Sequence, residues 1–308
     1  VTDVFLAPKA SPLYVNSLKE KGHTLHTEVT PDNVQKIRAI AGGGESRVPA
    51  DVINQFPNLE VIAIMGVGYD GVDVEAAKAR NVLVTHTPDV LNDDVADLAI
   101  ALMLNAARQL PQSDRYVRSG DWETKGAMPL QRKMSGARLG IVGMGRIGQA
   151  IAHRAAAFGM KIAYCARTAK PQLPHTFRAS VVDLARESDF LVVITPGGAG
   201  TKHMINAEVL QALGQKGILV NVARGSVVDE QALIDALEKG VIGGAALDVF
   251  ADEPRVPQRL RDIPHVVLAP HVGSATTQTR RAMVDLAVAN LEAKISGGKP
   301  PTPVPECR

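Results

Sequence analysis

The chain is short of cysteine, aromatics, net charge and long apolar runs, and each shortage excludes something. Two cysteines in 308 residues, Cys165 and Cys307, cannot build a disulfide framework, so a reducing compartment, the cytoplasm, is expected. Aromatic residues are 4% of the chain, with one Trp, so its cores must be built from Ala, Val, Leu and Ile. That favours helices packed closely on sheets. With 34 basic and 32 acidic residues the formal charge is +2, which offers no bulk attraction to nucleic acid or an anionic membrane. Any preference for anions must be local. No apolar run reaches the roughly 18 to 20 residues that span a bilayer. The start, Val1-Thr2-Asp3-Val4-Phe5-Leu6-Ala7-Pro8, reads as a first strand and not as a signal peptide. No metal is expected.

What is present is an ordinary globular composition, 45% hydrophobic and 21% charged, over a length that suggests two domains. Short β-branched runs alternate with helical patterns, the signal of βαβ units around a parallel sheet. Runs at Val4 to Ala7, Leu25 to Val29, Ile37 to Ala41, Leu59 to Met65 and Val82 to Thr85 predict five strands. After Thr87-Pro88 a long apolar helix is predicted over Val95 to Ala107, with Asn92 as its N-cap and Asp93 and Asp94 in the first turn as capping acids. Arg108 to Gly136 is polar, lacks a period, carries Trp122 and is expected to be a connecting arm or loop. Strands resume at Leu139 to Val142, Lys161 to Ala166, Phe190 to Ile194, Ile218 to Val222, Ala245 to Val249 and Val266 to Leu268. A last helix, Thr276 to Ile295, precedes a Gly/Pro-rich tail expected to be poorly ordered.

Val142-Gly143-Met144-Gly145-Arg146-Ile147-Gly148 is G-x-G-x-x-G directly after a strand and opening a helix. Its glycines permit a tight turn, the approach of a pyrophosphate and close helix packing, while the helix N-terminus supplies N–H donors. In that context the motif predicts a dinucleotide site. An Asp or Glu at the end of the next strand would bond the ribose 2′-OH of NAD. Here the strand runs Tyr164-Cys165-Ala166-Arg167-Thr168-Ala169-Lys170, with no carboxylate. Arg167 and Thr168 can bond a 2′-phosphate, with the charge of Lys170 nearby, so NADPH is preferred and NADH is the weaker alternative.

Reduction of a carbonyl by hydride needs a cation to polarise it, a proton donor and a group that tunes the donor. Arg224 in Asn221-Val222-Ala223-Arg224-Gly225, Glu253 in Asp248 to Pro254, and His271 in Ala269 to Ser274 each follow a predicted strand, where α/β sheets bind ligands. The planar fork of Arg224 suits a 2-oxo acid. Glu253 bonded to His271 would favour the imidazolium and raise its pKa, keeping a proton available for the forming alkoxide. The other seven histidines are expected to be solvated or packed residues.

These motifs make the sequence similar, over nearly its whole length, to the D-isomer-specific 2-hydroxyacid dehydrogenases, and most closely to the NADP-preferring glyoxylate and hydroxypyruvate reductases. The resemblance implies an α/β fold with a Rossmann dinucleotide-binding domain, residues 92–275, inserted into a flavodoxin-like substrate-binding domain formed by residues 1–91 and 276–308. It makes Arg224, Glu253 and His271 the catalytic set. It places Thr195, Ala223, Asp248, Gly273 and Ser274 along the dinucleotide, with Asp248 on the nicotinamide carboxamide. The substrate, a small 2-oxo acid, would also meet the amides of Gly66-Val67-Gly68. Hinges near Pro88 and Gly273 would close the two domains on it. The helix Val95 to Ala107 and the Trp122 arm resemble the family's homodimer contact, with Trp122 a candidate to reach the partner's pocket. Ala166 departs from the serine that close NADP-using relatives often carry there, which removes one phosphate contact. The rival readings are an NAD-linked D-lactate- or phosphoglycerate-type dehydrogenase and, in another class, a dinucleotide-sensing binding protein. Formate dehydrogenase fits less well, since it carries Gln in place of the tuning Glu.

Overall fold

The computed structural model describes residues 1–307, so Arg308, the end of the expected disordered tail, lies outside the described residues. The chain divides into two compact units: residues 1–91 with the segment from Ser274 on, and Asn92–Gly273.

The first unit opens as β1 (Asp3–Leu6), α1 (Pro12–Glu20), β2 (Thr24–His26), β3 (Ile37–Gly43), α2 (Ala50–Gln55), β4 (Val61–Met65), α3 (Val74–Ala79) and β5 (Leu83–Thr85). Its sheet is wholly parallel in the order β2-β1-β3-β4-β5. Every residue of β4 is buried, as expected of a central strand covered on both faces. Ile37, Ile40, Ile53, Phe56, Ile62 and Ile64 make up much of the core. Aliphatics thus dominate it, in keeping with the few aromatics.

The second unit begins with α4 (Asn92–Arg108), α5 (Leu110–Arg118) and α6 (Asp121–Lys125). Asn92 is therefore the first residue of α4 and not a cap outside it. Asp93, in the first turn, pairs with Arg154. The expected loop between Arg108 and Gly136 contains two short helices, neither of which buries a residue. The apolar residues of the first of them, Leu110 and Val117, stand exposed among polar ones, so too few are present to mark a period. There follow β6 (Arg138–Val142), α7 (Arg146–Ala157), β7 (Lys161–Cys165), β8 (Thr176–Phe177), α8 (Val181–Arg186), β9 (Phe190–Val193), α9 (Ala207–Leu213), β10 (Ile218–Asn221), α10 (Glu230–Glu238), β11 (Gly244–Leu247), α11 (Gln258–Asp262) and β12 (Val266–Leu268). They form a parallel sheet in the order β12-β11-β10-β9-β6-β7-β8, a doubly wound Rossmann sheet whose order reverses between β6 and β9. The two-residue edge strand β8 is too short to carry a pattern. Ser180, Asn206 and Asp229 cap α8, α9 and α10 through their side chains.

The chain returns to the first unit through α12 (Thr277–Ile295), capped by Thr276. The tail after it is ordered, against expectation: Pro303 bridges Thr85 antiparallel, the Val304 amide donates to Val84 O at 3.0 Å, and Val304 is fully buried. Pairing to a strand supplies partners that the composition of the tail does not reveal. Among the described residues no helix is long and apolar enough to cross a membrane.

Candidate active site

In the second unit every strand is parallel, so the residues that follow them gather at one sheet edge. The glycine loop follows β6 and Thr195 follows β9, flanking the point where the strand order reverses. Each glycine answers a separate demand. Gly143 sits at φ +106°, and a Cβ there would lie 2.6 Å from the Ile194 carbonyl oxygen. A Cβ on Gly148 would lie 2.1 Å from Gly143 O, so that glycine lets α7 pack on the turn. A Cβ on Gly145 would meet nothing within 4 Å. Gly145 stands at the N-terminus of α7, whose first turn, beginning Arg146-Ile147, holds no acid. Open space before a helix N-terminus fits a pyrophosphate. Past the end of β7, Arg167 and Thr168 are exposed and Lys170 is half-buried, with no carboxylate among residues 166–170.

Arg224 lies just past β10. The Asn221 side chain shapes its turn, accepting the Ala223 amide at 3.1 Å and donating to Arg224 O at 3.0 Å. Ala223 is buried, and its carbonyl accepts Arg224 Nη1 at 2.9 Å. A Cβ on Gly225 would fall 1.9 Å from the carbonyl carbon and oxygen of Phe250, so the Arg224 turn is laid directly against the turn after β11. That turn carries Glu253. One of its oxygens accepts the Phe250 amide at 2.9 Å; the other lies 2.7 Å from His271 Nδ1. A carboxylate oxygen at that distance accepts the Nδ1 proton and orients the ring.

His271 has φ +55°, in the left-handed region that a non-glycine residue seldom adopts. Its amide donates to Asp248 O at 2.9 Å. The next two amides, of Val272 and Gly273, donate to the two carboxylate oxygens of Asp248 at 2.7 and 2.8 Å. A buried carboxylate gripping successive amides offsets the cost of the unusual backbone. Burial pushes the Asp248 carboxyl above its ordinary range and the charge of Glu253 adds to this, while the two amides and the His271 charge oppose it. Asp248 therefore serves the backbone of the His271 loop, whatever else it bonds. Ser274 falls in the other unit.

In the first unit Gly66-Val67-Gly68 follows β4. The Thr87 amide donates to Gly66 O at 2.8 Å, and His86 Nδ1 donates to Val67 O at 3.0 Å, so two carbonyls of the turn are drawn to residues 86 and 87. His86, expected only to be packed or solvated, thus orients this turn. Its own carbonyl accepts Asn290 Nδ2 at 3.2 Å and the Thr302 hydroxyl at 2.6 Å. Asn221, Gly225 and His86 are the residues that single-position reading overlooks, although the first two stand inside the Asn221 to Gly225 motif.

Fold and sheet edge together define a Rossmann dinucleotide-binding protein with Arg224, Glu253 and His271 at the sheet edge that bears its glycine loop. Residues 100–273 match the model of the D-isomer specific 2-hydroxyacid dehydrogenase, NAD binding domain. The chain belongs to that family and is an NAD(P)-dependent D-2-hydroxyacid dehydrogenase. It is 46% identical to glyoxylate/hydroxypyruvate reductase A of Arabidopsis thaliana, over 98% of each chain. It is 49% identical to hydroxyphenylpyruvate reductase of Plectranthus scutellarioides, over 88% of this chain and 86% of the relative. Among solved structures, the NADPH-dependent glyoxylate/hydroxypyruvate reductase of Sinorhizobium meliloti, in complex with NADP and malonate, superposes with a TM-score of 0.94 at 46% identity, covering 99% of this chain and 97% of that one.

Proposed function

We propose that the chain reduces glyoxylate and hydroxypyruvate to the D-2-hydroxy acids with NADPH. The observation that carries this reading is the 2.7 Å Glu253–His271 pair at the sheet edge that also bears Arg224 and the glycine loop. The bound dinucleotide supplies a hydride to the carbonyl carbon. Arg224 binds the substrate carboxylate through its fork and polarises the carbonyl. His271 donates its Nε2 proton to the carbonyl oxygen, and Glu253 stabilises the ring charge before that transfer. Gly143, Gly145 and Gly148, with Arg146 and Ile147, hold the pyrophosphate, and Thr195, Ala223, Asp248 and Gly273 line the rest of the dinucleotide. Ser274 would be a further cofactor contact. Arg167, Thr168 and Lys170 meet the 2′-phosphate, and the absence of a carboxylate there supports NADPH over NADH. The amides of Gly66, Val67 and Gly68 are a further contact for the substrate carboxylate.

The test is a comparison of kcat/KM for glyoxylate, hydroxypyruvate, pyruvate and hydroxyphenylpyruvate, with NADPH and with NADH. Glyoxylate and hydroxypyruvate with NADPH should lead. The aromatic acid belongs in the panel because the Plectranthus scutellarioides relative is a hydroxyphenylpyruvate reductase; its dominance would replace the substrate assignment. His271→Ala should abolish reduction, and normal turnover in that variant would remove the donor assignment. Arg224→Ala should lose both kcat and oxo-acid affinity. Tight NADPH binding with no turnover of any acid would instead mark a sensor.

The same reading gives the arm a partner. Leu110, Val117, Trp122 and Leu130 are all exposed in one protomer, which fits a contact with a second copy of this chain. Leu130→Asp should shift the sedimentation coefficient toward the monomer. The two free thiols suit a reducing compartment, the cytoplasm.

A further inference from the structure

We propose that Tyr164 is a positioning residue for cofactor choice, its hydroxyl pinning the loop that carries Arg167, Thr168 and Lys170. The inference rests on the reading of that loop as the 2′-phosphate site. The chain leaves the sheet after Cys165 and returns beside it at Thr176, with no regular structure over 166–175. Tyr164 anchors both ends of this excursion. Its ladder partner on β8 is Phe177, whose ring centroid lies 5.5 Å from its own, and its carbonyl accepts the Arg178 amide at 2.8 Å. Tyr164 is 1% exposed, and its hydroxyl accepts the Lys170 amide at 2.7 Å while lying 3.4 Å from Lys170 O. The Lys170 carbonyl in turn accepts the Leu173 amide at 3.0 Å.

The loop is therefore held at its middle as well as at its ends. A pin at Lys170 leaves a short free span on which Arg167 and Thr168 stand, and a shorter span has fewer conformations to lose when a ligand orders it. The benefit falls on the cofactor that uses those side chains. NADH, which lacks the 2′-phosphate, gains nothing from their placement, so Tyr164 acts on the difference between the two cofactors.

Tyr164→Phe keeps the ring and its packing and removes only the hydroxyl. Kd for NADPH and for NADH, read from nucleotide fluorescence, and KM and kcat with glyoxylate should be compared with those of the unaltered chain and of Arg167→Ala. We expect Kd and KM for NADPH to rise roughly three- to tenfold, the size of one net hydrogen bond, with kcat and the NADH values unchanged. In the Arg167→Ala background the effect of Tyr164→Phe should shrink to below about twofold, since coupled residues do not add. An equal rise for both cofactors would mark a general packing role and overturn the proposal. So would no rise while Arg167→Ala still erodes the NADPH preference; the phosphate-site reading would then stand alone. An unchanged preference in Arg167→Ala would overturn that reading and this proposal together.

Discussion

Glu253 uses its two oxygens for two tasks: one accepts the Phe250 amide and the other holds His271 Nδ1. A glutamine there has one acceptor and one donor end, so one of the two tasks must fail. Glu253→Gln should therefore lower kcat by roughly 10- to 100-fold, a share of what general acid catalysis supplies, with little change in KM for the oxo acid. Steady-state kinetics separate this from Arg224→Ala, in which both constants should suffer. At this scale the sequence was legible where chemistry and motif coincide: Glu253 and His271, expected to bond, are paired at 2.7 Å. It was not legible where a residue acts through distant backbone. Asp248 grips the amides of residues 272 and 273, and the Gly225 backbone lies against Phe250; both depend on strands meeting in three dimensions. The hydroxyl of Tyr164, next to the motif residues, belongs to the same class.

Elements were legible where they bury a face and obscure where they do not. The buried strands β4, β6 and β9 stand out as apolar runs, whereas α5 and α6 bury nothing and β8 has two residues. The strand–turn–helix unit β6–α7 yields a paired prediction. Gly145→Ala meets open space and should fold with unchanged Tm yet bind NADPH more weakly, because the methyl group occupies the space proposed for the pyrophosphate. Gly148→Ala would drive a Cβ to 2.1 Å from Gly143 O and should lower Tm instead. Equal thermal shifts in the two variants would contradict this division. The start of β6 is tied to β9 by Asp189, which accepts the Arg138 guanidinium at 2.9 and 3.2 Å and its amide at 2.9 Å, with Arg132 at 3.3 Å. Those bonds, the Arg138 side chain first, hold the Asp189 carboxyl below its ordinary range against the opposing effect of burial. An unfolded Asp titrates near about 3.9, so the stability Asp189 contributes is whole above that pH and drains away as pH falls through the depressed folded value. Asp189→Asn should be less stable at neutral pH and show a flatter loss of urea midpoint between about pH 4 and 2.

At the scale of the whole molecule, two units and a parallel sheet in each follow from alternating strand and helix patterns. The ordered tail does not, because the strand it pairs with and the His86 carbonyl lie more than 200 residues back along the chain. Asn290 on α12 is the clasp. It is fully buried, donating to His86 O and to the Thr302 hydroxyl at 3.2 and 2.8 Å and accepting the Thr302 amide at 2.9 Å. Asn290→Ala would strip three hydrogen bonds, one from buried His86 and two from half-buried Thr302, and at about 1 kcal/mol each the first unit should lose about 2 to 4 kcal/mol. The urea midpoint should fall with an unchanged m value. A second consequence follows from the direction of these bonds. Asn290 and Thr302 fix the backbone of His86, and the His86 ring holds Val67 O in the turn proposed to meet the substrate carboxylate. Loosening the clasp should therefore raise KM for the oxo acid severalfold while leaving Kd for NADPH unchanged, since every proposed dinucleotide contact except Ser274 lies in the other unit. His86→Phe should reproduce the rise in KM with a smaller loss of stability, because the backbone bonds at residue 86 survive. If Asn290→Ala lost stability but kept the KM of the unaltered chain, the clasp would serve folding alone and His86 would no longer link the tail to the turn.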